Sequence, residues 1–238
     1  MDHLQELFAA IESGNLPRAQ ALLQSDPALA TAKAQHDLTA LHKAAEKDQA
    51  AAAEALLAAG AELEAKVSWG MTPLDWAANM GSRRTAEVFL TRGAQLTHWA
   101  AAGLGMRDAV ESFWHGDGTL KPGSGHRRPK QQDAETWTWV EPTEDQREIV
   151  SDSFYIACRN GHTEVARLLL ERGADVNFRG FFGGTGLHWA AINGHKQTVE
   201  FLLAHGADTN LEDEQFKSTP IGWAQESNQQ EIVELLSA

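Results

Sequence analysis

The ten histidines and the lone Cys158 are the residues of this 238-residue chain best suited to chemistry. Imidazole titrates near neutrality and ligates metals, so each histidine is a candidate acid, base or ligand. Position argues otherwise for four of them. His42 and His188 each stand three residues after a threonine, in Thr39-Ala40-Leu41-His42 and Thr185-Gly186-Leu187-His188. His162 and His195 each follow a glycine, Gly161 and Gly194. Residues that recur at matching places in a repeat are explained by the repeat, and structural roles are expected. His98, His115 and His126 stand outside that pattern and show no metal-ligand spacing, so no metal site is expected. Asp75 and Tyr155 replace the histidine in two copies. Asp75, beside Trp76, could orient a ligand or cap its own turn. Cys158 follows Ala157 at a small-residue position, where a buried, inert thiol is expected. The chain has no Gly-x-Ser-x-Gly elbow, no Gly-Lys phosphate loop and no dinucleotide fingerprint. The glycine-rich run Gly180–Gly184 falls in a hairpin between repeats, where phosphate binding is not expected. No catalytic residue and no cofactor are therefore expected.

The elements that would position these side chains follow from periodicity. Leu38-Thr39-Ala40-Leu41-His42-Lys43-Ala44-Ala45 is matched 33 residues later by Met71-Thr72-Pro73-Leu74-Asp75-Trp76-Ala77-Ala78. Gly184-Thr185-Gly186-Leu187-His188-Trp189-Ala190-Ala191 is matched 34 residues later by Ser218-Thr219-Pro220-Ile221-Gly222-Trp223-Ala224-Gln225. Threonine can cap a helix N-terminus, and proline fits its first turn, where no donor is lost. Small alanine pairs let neighbouring first helices approach closely. Second helices carry apolar residues at helical spacing, such as Val165, Leu168 and Leu169, then Val199 and Leu202. Gly60, Gly93, Gly173 and Gly206 close the internal ones in the left-handed conformation. No helix pair buries its apolar face alone, so stacking must supply the core.

A period near 33 that opens Thr-Pro-Leu-His-x-Ala resembles the ankyrin-repeat family over nearly the whole chain. The resemblance implies an all-α solenoid of about seven helix–turn–helix repeats with β-hairpin-like fingers and one insertion. Residues 1–115 hold repeats one to four, the fourth abbreviated, because Gly81 and Gly105 are only 24 apart. Residues 116–147 form the insertion, and 148–238 hold repeats five to seven, all expected in one continuous domain. The fourth repeat leaves its register open: Ala100 is the formal match to Trp76, with Trp99 beside it.

The insertion begins rich in Gly, Pro and charge, with Lys121, Arg127, Arg128 and Lys130 close together. It continues into Thr136-Trp137-Thr138-Trp139-Val140, an alternating, β-prone stretch. In the family, such a loop borders the groove. Trp137 and Trp139 could then belong to a lid, or the segment could simply patch the broken stack.

The family's usual contact surface consists of the finger tips and the residue before the alanine pair. Carried over, it implies Lys43, Trp76, Ile156, Trp189 and Trp223 before the pair, with Trp99 in the uncertain repeat. His36, Trp69, Phe181, Phe182 and Phe216 would sit near the tips, with Tyr155 at a histidine position. Aromatic rings are enriched at binding hot spots, yet the same rings could pack against their own fingers. The expected function is non-enzymatic docking of a protein or peptide on an aromatic concave groove. The alternative is a small-molecule or catalytic site between repeats four and five, covered by the insertion. A formal charge of −13 disfavours nucleic acid and anionic membranes as partners. No run of 18 apolar residues and no signal peptide is seen, and one cysteine suits a reducing cytoplasm. A monomer is expected.

Overall fold

The computed structural model describes residues 3–125, 128–131, 137–141 and 143–237. They separate into two compact units, Met1–Leu96 and Thr97–Ala238. The abbreviated fourth repeat and the insertion thus fall in the C-terminal unit.

The N-terminal unit holds three helix pairs. These are α1 (His3–Glu12) with α2 (Leu16–Ser25), α3 (Ala40–Glu46) with α4 (Ala50–Ala58), and α5 (Pro73–Met80) with α6 (Arg83–Thr91). Helix α5 shows why the sequence starts a helix where it does. The Thr72 side chain accepts the Asp75 N–H at 3.2 Å, and Asp75 Oδ2 accepts the Thr72 N–H at 3.0 Å. This reciprocal box satisfies donors that a helix start leaves bare, and Pro73 takes the first turn. Asp75 is thereby used in a cap. At the other end Gly81 adopts φ 69°, a left-handed stop open to glycine. Leu7, Ile11, Leu41, Leu56, Leu74 and Phe89 are enclosed between the pairs. Each such side chain contributes roughly 1.5–3 kcal/mol of burial free energy.

The C-terminal unit holds α7 (His98–Gly103) with α8 (Arg107–Glu111), and α9 (Gln146–Arg159) with α10 (Thr163–Glu171). It continues with α11 (Gly186–Ile192) and α12 (Lys196–Ala204), then α13 (Pro220–Glu226) and α14 (Gln230–Leu236). Phe154, Ile156, Leu169, Leu187, Leu202 and Ile232 form its core.

Fingers join the pairs. In the first, Lys33 bridges Thr39, and His36 (φ 61°) and Asp37 (φ 60°) turn the chain. In the C-terminal unit Arg179 bridges Thr185, with Phe182 (φ 61°) and Gly183 (φ 69°) in the same places. Two left-handed residues in succession match the twist of a two-residue hairpin turn.

The fourth repeat is settled by its hydrogen bonds. Met106 N–H bonds to Ala101 O as Ser82 N–H bonds to Ala77 O. That register equates Ala100 with Trp76, Trp99 with Asp75, and His98 with Leu74. The helix starts one residue late, because Thr97 caps it through the Ala100 N–H. In the fifth repeat the first helix is too long instead. Helix α9 runs 14 residues from an Asp145 cap, with no Thr-Pro start. Between α8 and α9, Trp114 bridges Leu120, and Leu120 N–H bonds to the Gln146 side chain. The insertion then forms one antiparallel ribbon, β1 (Arg128–Gln131) with β2 (Trp137–Val140), which pairs Arg128 with Val140 and Gln131 with Trp137. The backbone of β1 lies beside the Phe181–Gly183 turn.

Candidate functional site

The repeat places rings at several finger tips, His36, Trp69, Phe182 and Phe216, and before the alanine-pair position in three copies, Trp76, Trp189 and Trp223. The period therefore brings them together without any further instruction. In the N-terminal unit His36 meets Trp69 at 5.5 Å between ring centroids, and Trp69 stacks on Trp76 at 5.9 Å. His42 meets the Trp76 ring edge-on at 5.6 Å. In the C-terminal unit Phe182 stacks on Trp189 at 6.3 Å, and Phe216 meets Trp223 at 6.2 Å. Adjacent repeats are joined by Phe182–Phe216 at 5.9 Å and Trp189–Trp223 at 5.0 Å. Offset and edge-on pairs at these distances are the favourable ones for aromatic quadrupoles.

Burial sorts these residues. Phe216 is 60% exposed. Trp69, Trp76, Phe182 and Trp189 are half-buried. The indole Nε1 atoms of Trp76 and Trp189 are enclosed, with no hydrogen-bond partner among the described residues. What these two rings offer to solvent is thus carbon. Trp223 is buried, and its indole N–H donates to Asp213 Oδ2 at 3.0 Å. Tyr155, Trp99 and Ile156 are also buried, Ile156 completely. A contact role expected for those three and for Trp223 meets a steric obstacle, since a partner would have to displace their neighbours to reach them. Tyr155 is instead covered by its finger: a Cβ at Gly180 would lie 2.5 Å from its ring. Lys43 is held by Glu12 and Glu46, each at 2.9 Å. The side chains of Phe181, Trp137 and Trp139, and all of His126, Arg127 and residues 132–136, lie outside the described residues.

Two polar groups tune the C-terminal cluster. The Arg159 guanidinium lies 4.0 Å from the centre of the Trp189 ring. Burial pulls its pKa down, opposed by the Tyr155 hydroxyl, and arginine stays charged regardless. Asp213 accepts the backbone N–H groups of Gln215, Phe216 and Ser218 in addition to the Trp223 indole. Burial works to raise its carboxyl. The Phe216, Trp223, Ser218 and Gln215 bonds outweigh that and hold it below the usual carboxylate range. One ionised carboxylate thus fixes the last finger and orients Trp223. The sequence signal for it was an aspartate at the start of a turn, which bonds backbone N–H groups ahead of it.

The histidines divide as position implied. His42 Nδ1 lies 2.8 Å from Thr39 Oγ1 and its Nε2 3.1 Å from Met71 O; His188 repeats this with Thr185 and Ser218. His162 Nε2 bonds to Gly103 O. His98 is different. It sits at a core leucine position, wholly enclosed, with Nδ1 2.7 Å from Ser153 Oγ. Phe113 and Trp114 pack edge-on against it at 5.5 and 4.9 Å. Burial lowers its pKa to about 4, against the attraction of Asp152. A serine, a histidine and an aspartate therefore meet between repeats four and five. The cavity beside them, lined by Trp99, Ser124, Asp152 and Ser153 among others, has a volume of about 10 Å³. That is room for about one water molecule and not for a substrate. Burial pushes the Cys158 thiol well up, as an inert position requires.

The family model for ankyrin repeats (3 copies) matches residues 7–100 and 154–238. The chain belongs to the ankyrin-repeat family. The match passes over residues 101–153, where the short repeat and the insertion lie. A transient receptor potential cation channel subfamily A member 1 homolog of Caenorhabditis elegans is 28% identical over 178 residues, 71% of this chain. The chain spans 13% of that protein's length. Among solved structures, the human ASB11 ankyrin repeat domain is similar at 21% identity, with a TM-score of 0.47 over 98% of this chain and 97% of that one. Among the described residues no helix is long and apolar enough to cross a membrane.

Proposed function

We propose that this ankyrin-repeat chain is a non-catalytic docking module for a protein or peptide. The finger-tip rings and Trp76 and Trp189 would serve as anchors. The ring cluster of the C-terminal unit carries the reading. There Phe182, Trp189 and Phe216 offer apolar faces, while Trp223, Asp213 and Arg159 hold them in place. Pre-ordered rings lose little entropy on binding, so their contact area converts well into affinity. Ankyrin repeats generally act in protein–protein interaction, and the cavity beside His98 has room for a water molecule and not for a substrate. Panning a random peptide display library on the full chain tests the reading. Enriched peptides should bind the wild type and lose roughly fivefold or more against Trp189→Ala or Phe216→Ala. Enriched peptides that bind every ring variant as well as the wild type would overturn it.

A further inference from the structure

We infer that the finger face of repeats six and seven selects a basic peptide segment, with a lysine or arginine side chain laid across Phe216. The inference rests on the docking reading above and adds the chemistry of the partner. Three observations carry it. Phe216 is the most exposed large apolar side chain among the described residues, at 60%, while its edge is fixed by Phe182 and Trp223. The same cluster already holds a guanidinium, since Arg159 from its own chain sits 4.0 Å over Trp189. The Phe216 ring carries the same negative π face, and its exposed side is open to a cation from outside. The finger that carries Phe216 is negative as well. Residues 208–217 carry four Asp or Glu against one Lys. Glu212 and Glu214 are exposed on the same finger as Phe216, and Asp213 between them is held ionised. Lys217 is the one opposing cation on that finger, and the Arg179 guanidinium at its base is engaged by the Gly183 and Glu212 carbonyls.

Negative potential draws basic chains to the finger, and the ring gives the bound cation a fixed seat. An acidic peptide would meet like charge on the same surface. A flat hydrophobic partner would bury Glu212 and Glu214 without compensation.

The test uses the full chain and two short synthetic peptides, one with arginines spaced by glycine and serine, the other with glutamates in their place. Titration calorimetry should show binding of the arginine peptide alone, weakening as salt rises. Phe216→Ala leaves net charge unchanged and should still weaken binding roughly fivefold, the size of one exposed cation–π contact. Phe216→Leu, which keeps apolar area and loses the π face, should weaken it comparably. Glu212→Gln with Glu214→Gln should weaken binding and flatten its salt dependence. Met80→Ala, at an exposed apolar side chain of the N-terminal unit, should change nothing. Binding of the arginine peptide equally by wild type, Phe216→Ala and Phe216→Leu would overturn the inference, since diffuse charge would then suffice. Equal binding of the glutamate peptide would overturn it too. Display-selected peptides that need Phe216 but lack basic residues would sink the basic partner and leave the docking module standing.

Discussion

The N-terminal and C-terminal units use one repeat to different ends. In the N-terminal unit the repeat is regular. Thr39 and Thr72 cap their helices, and His42 and Asp75 return the bond. Leu41 and Leu74 fill the core position, and the finger rings His36 and Trp69 lean on Trp76. In the C-terminal unit that core position holds His98 and then Phe154 before leucine returns at Leu187. One first helix is cut short and the next overruns, and the rings end at an exposed Phe216. The contrast teaches that aromatic contacts alone say little about binding, because regular repeats build them for packing. Departures from the repeat are more telling. The buried polar contact of His98 with Ser153 is costly unless satisfied, and most of the Phe216 ring stays in water.

The largest expected effect tests whether the two units are cooperative blocks. Phe89→Ala and Phe154→Ala each empty a fully enclosed site, one per unit. Each should cost about 3–5 kcal/mol. Hydrogen exchange read by peptide should show Phe89→Ala loosening α3 to α6 while α11 to α14 stay protected, and Phe154→Ala the reverse. Loss of protection along the whole chain in both variants would make the molecule one cooperative block and erase the comparison.

Acid sharpens the contrast at a smaller scale. His42 and His98 are enclosed in different units, and burial lowers each to about 4 from the ordinary 6.5. The unfolded chain therefore takes up these protons first as pH falls. Stability is full above about pH 6.5 and is lost on acidification toward pH 4, at about 1.4 kcal/mol per pH unit for each histidine. His188 and His195 are also held down by burial and add to the C-terminal unit's share. Replacing His98 with Leu and Ser153 with Ala together restores the repeat's own leucine and removes both halves of the buried contact. Such paired removal is close to neutral at pH 7. Between pH 6.5 and 4 the variant's C-terminal unit should lose less stability than the wild type's, with the N-terminal unit unchanged. Urea unfolding at pH 7 and pH 5, followed by hydrogen exchange, reads both. An unchanged acid response of the C-terminal unit would remove His98 from the account.

What the sequence made legible follows the same division. The repeat could be read because Thr, Leu and the alanine pair recur for reasons local to each turn: a cap, a core contact, a close approach. The positions of Trp76 and Trp189 followed from that period. The burial of Tyr155, Ile156 and Trp223 did not, because it depends on fingers and helices from neighbouring repeats. Gly180 admitting the Tyr155 ring is one such case. His98 lies outside the visible pattern, because the late helix start hides its equivalence to Leu74. The Asp213 contact with Trp223 spans ten residues of a finger whose turn length differs from the others, and no periodicity announces it.

The smallest expected effect separates binding from folding. Met80 and Phe216 are the exposed large apolar side chains among the described residues, at 42% and 60%, one in each unit. Neither fills a cavity, so alanine at either site should change unfolding free energy by no more than about 0.5 kcal/mol. Phe216 contacts Phe182 and Trp223 only at ring-to-ring distance on the outside of the cluster, and its finger is fixed by Asp213 through backbone donors that alanine retains. Denaturant midpoints of the two variants should therefore coincide with the wild type's. A loss of about 3 kcal/mol or more at Phe216, the range of buried-ring truncations, would mean that the ring is a structural strut. The distinction drawn between the two units would then fail at its most exposed point.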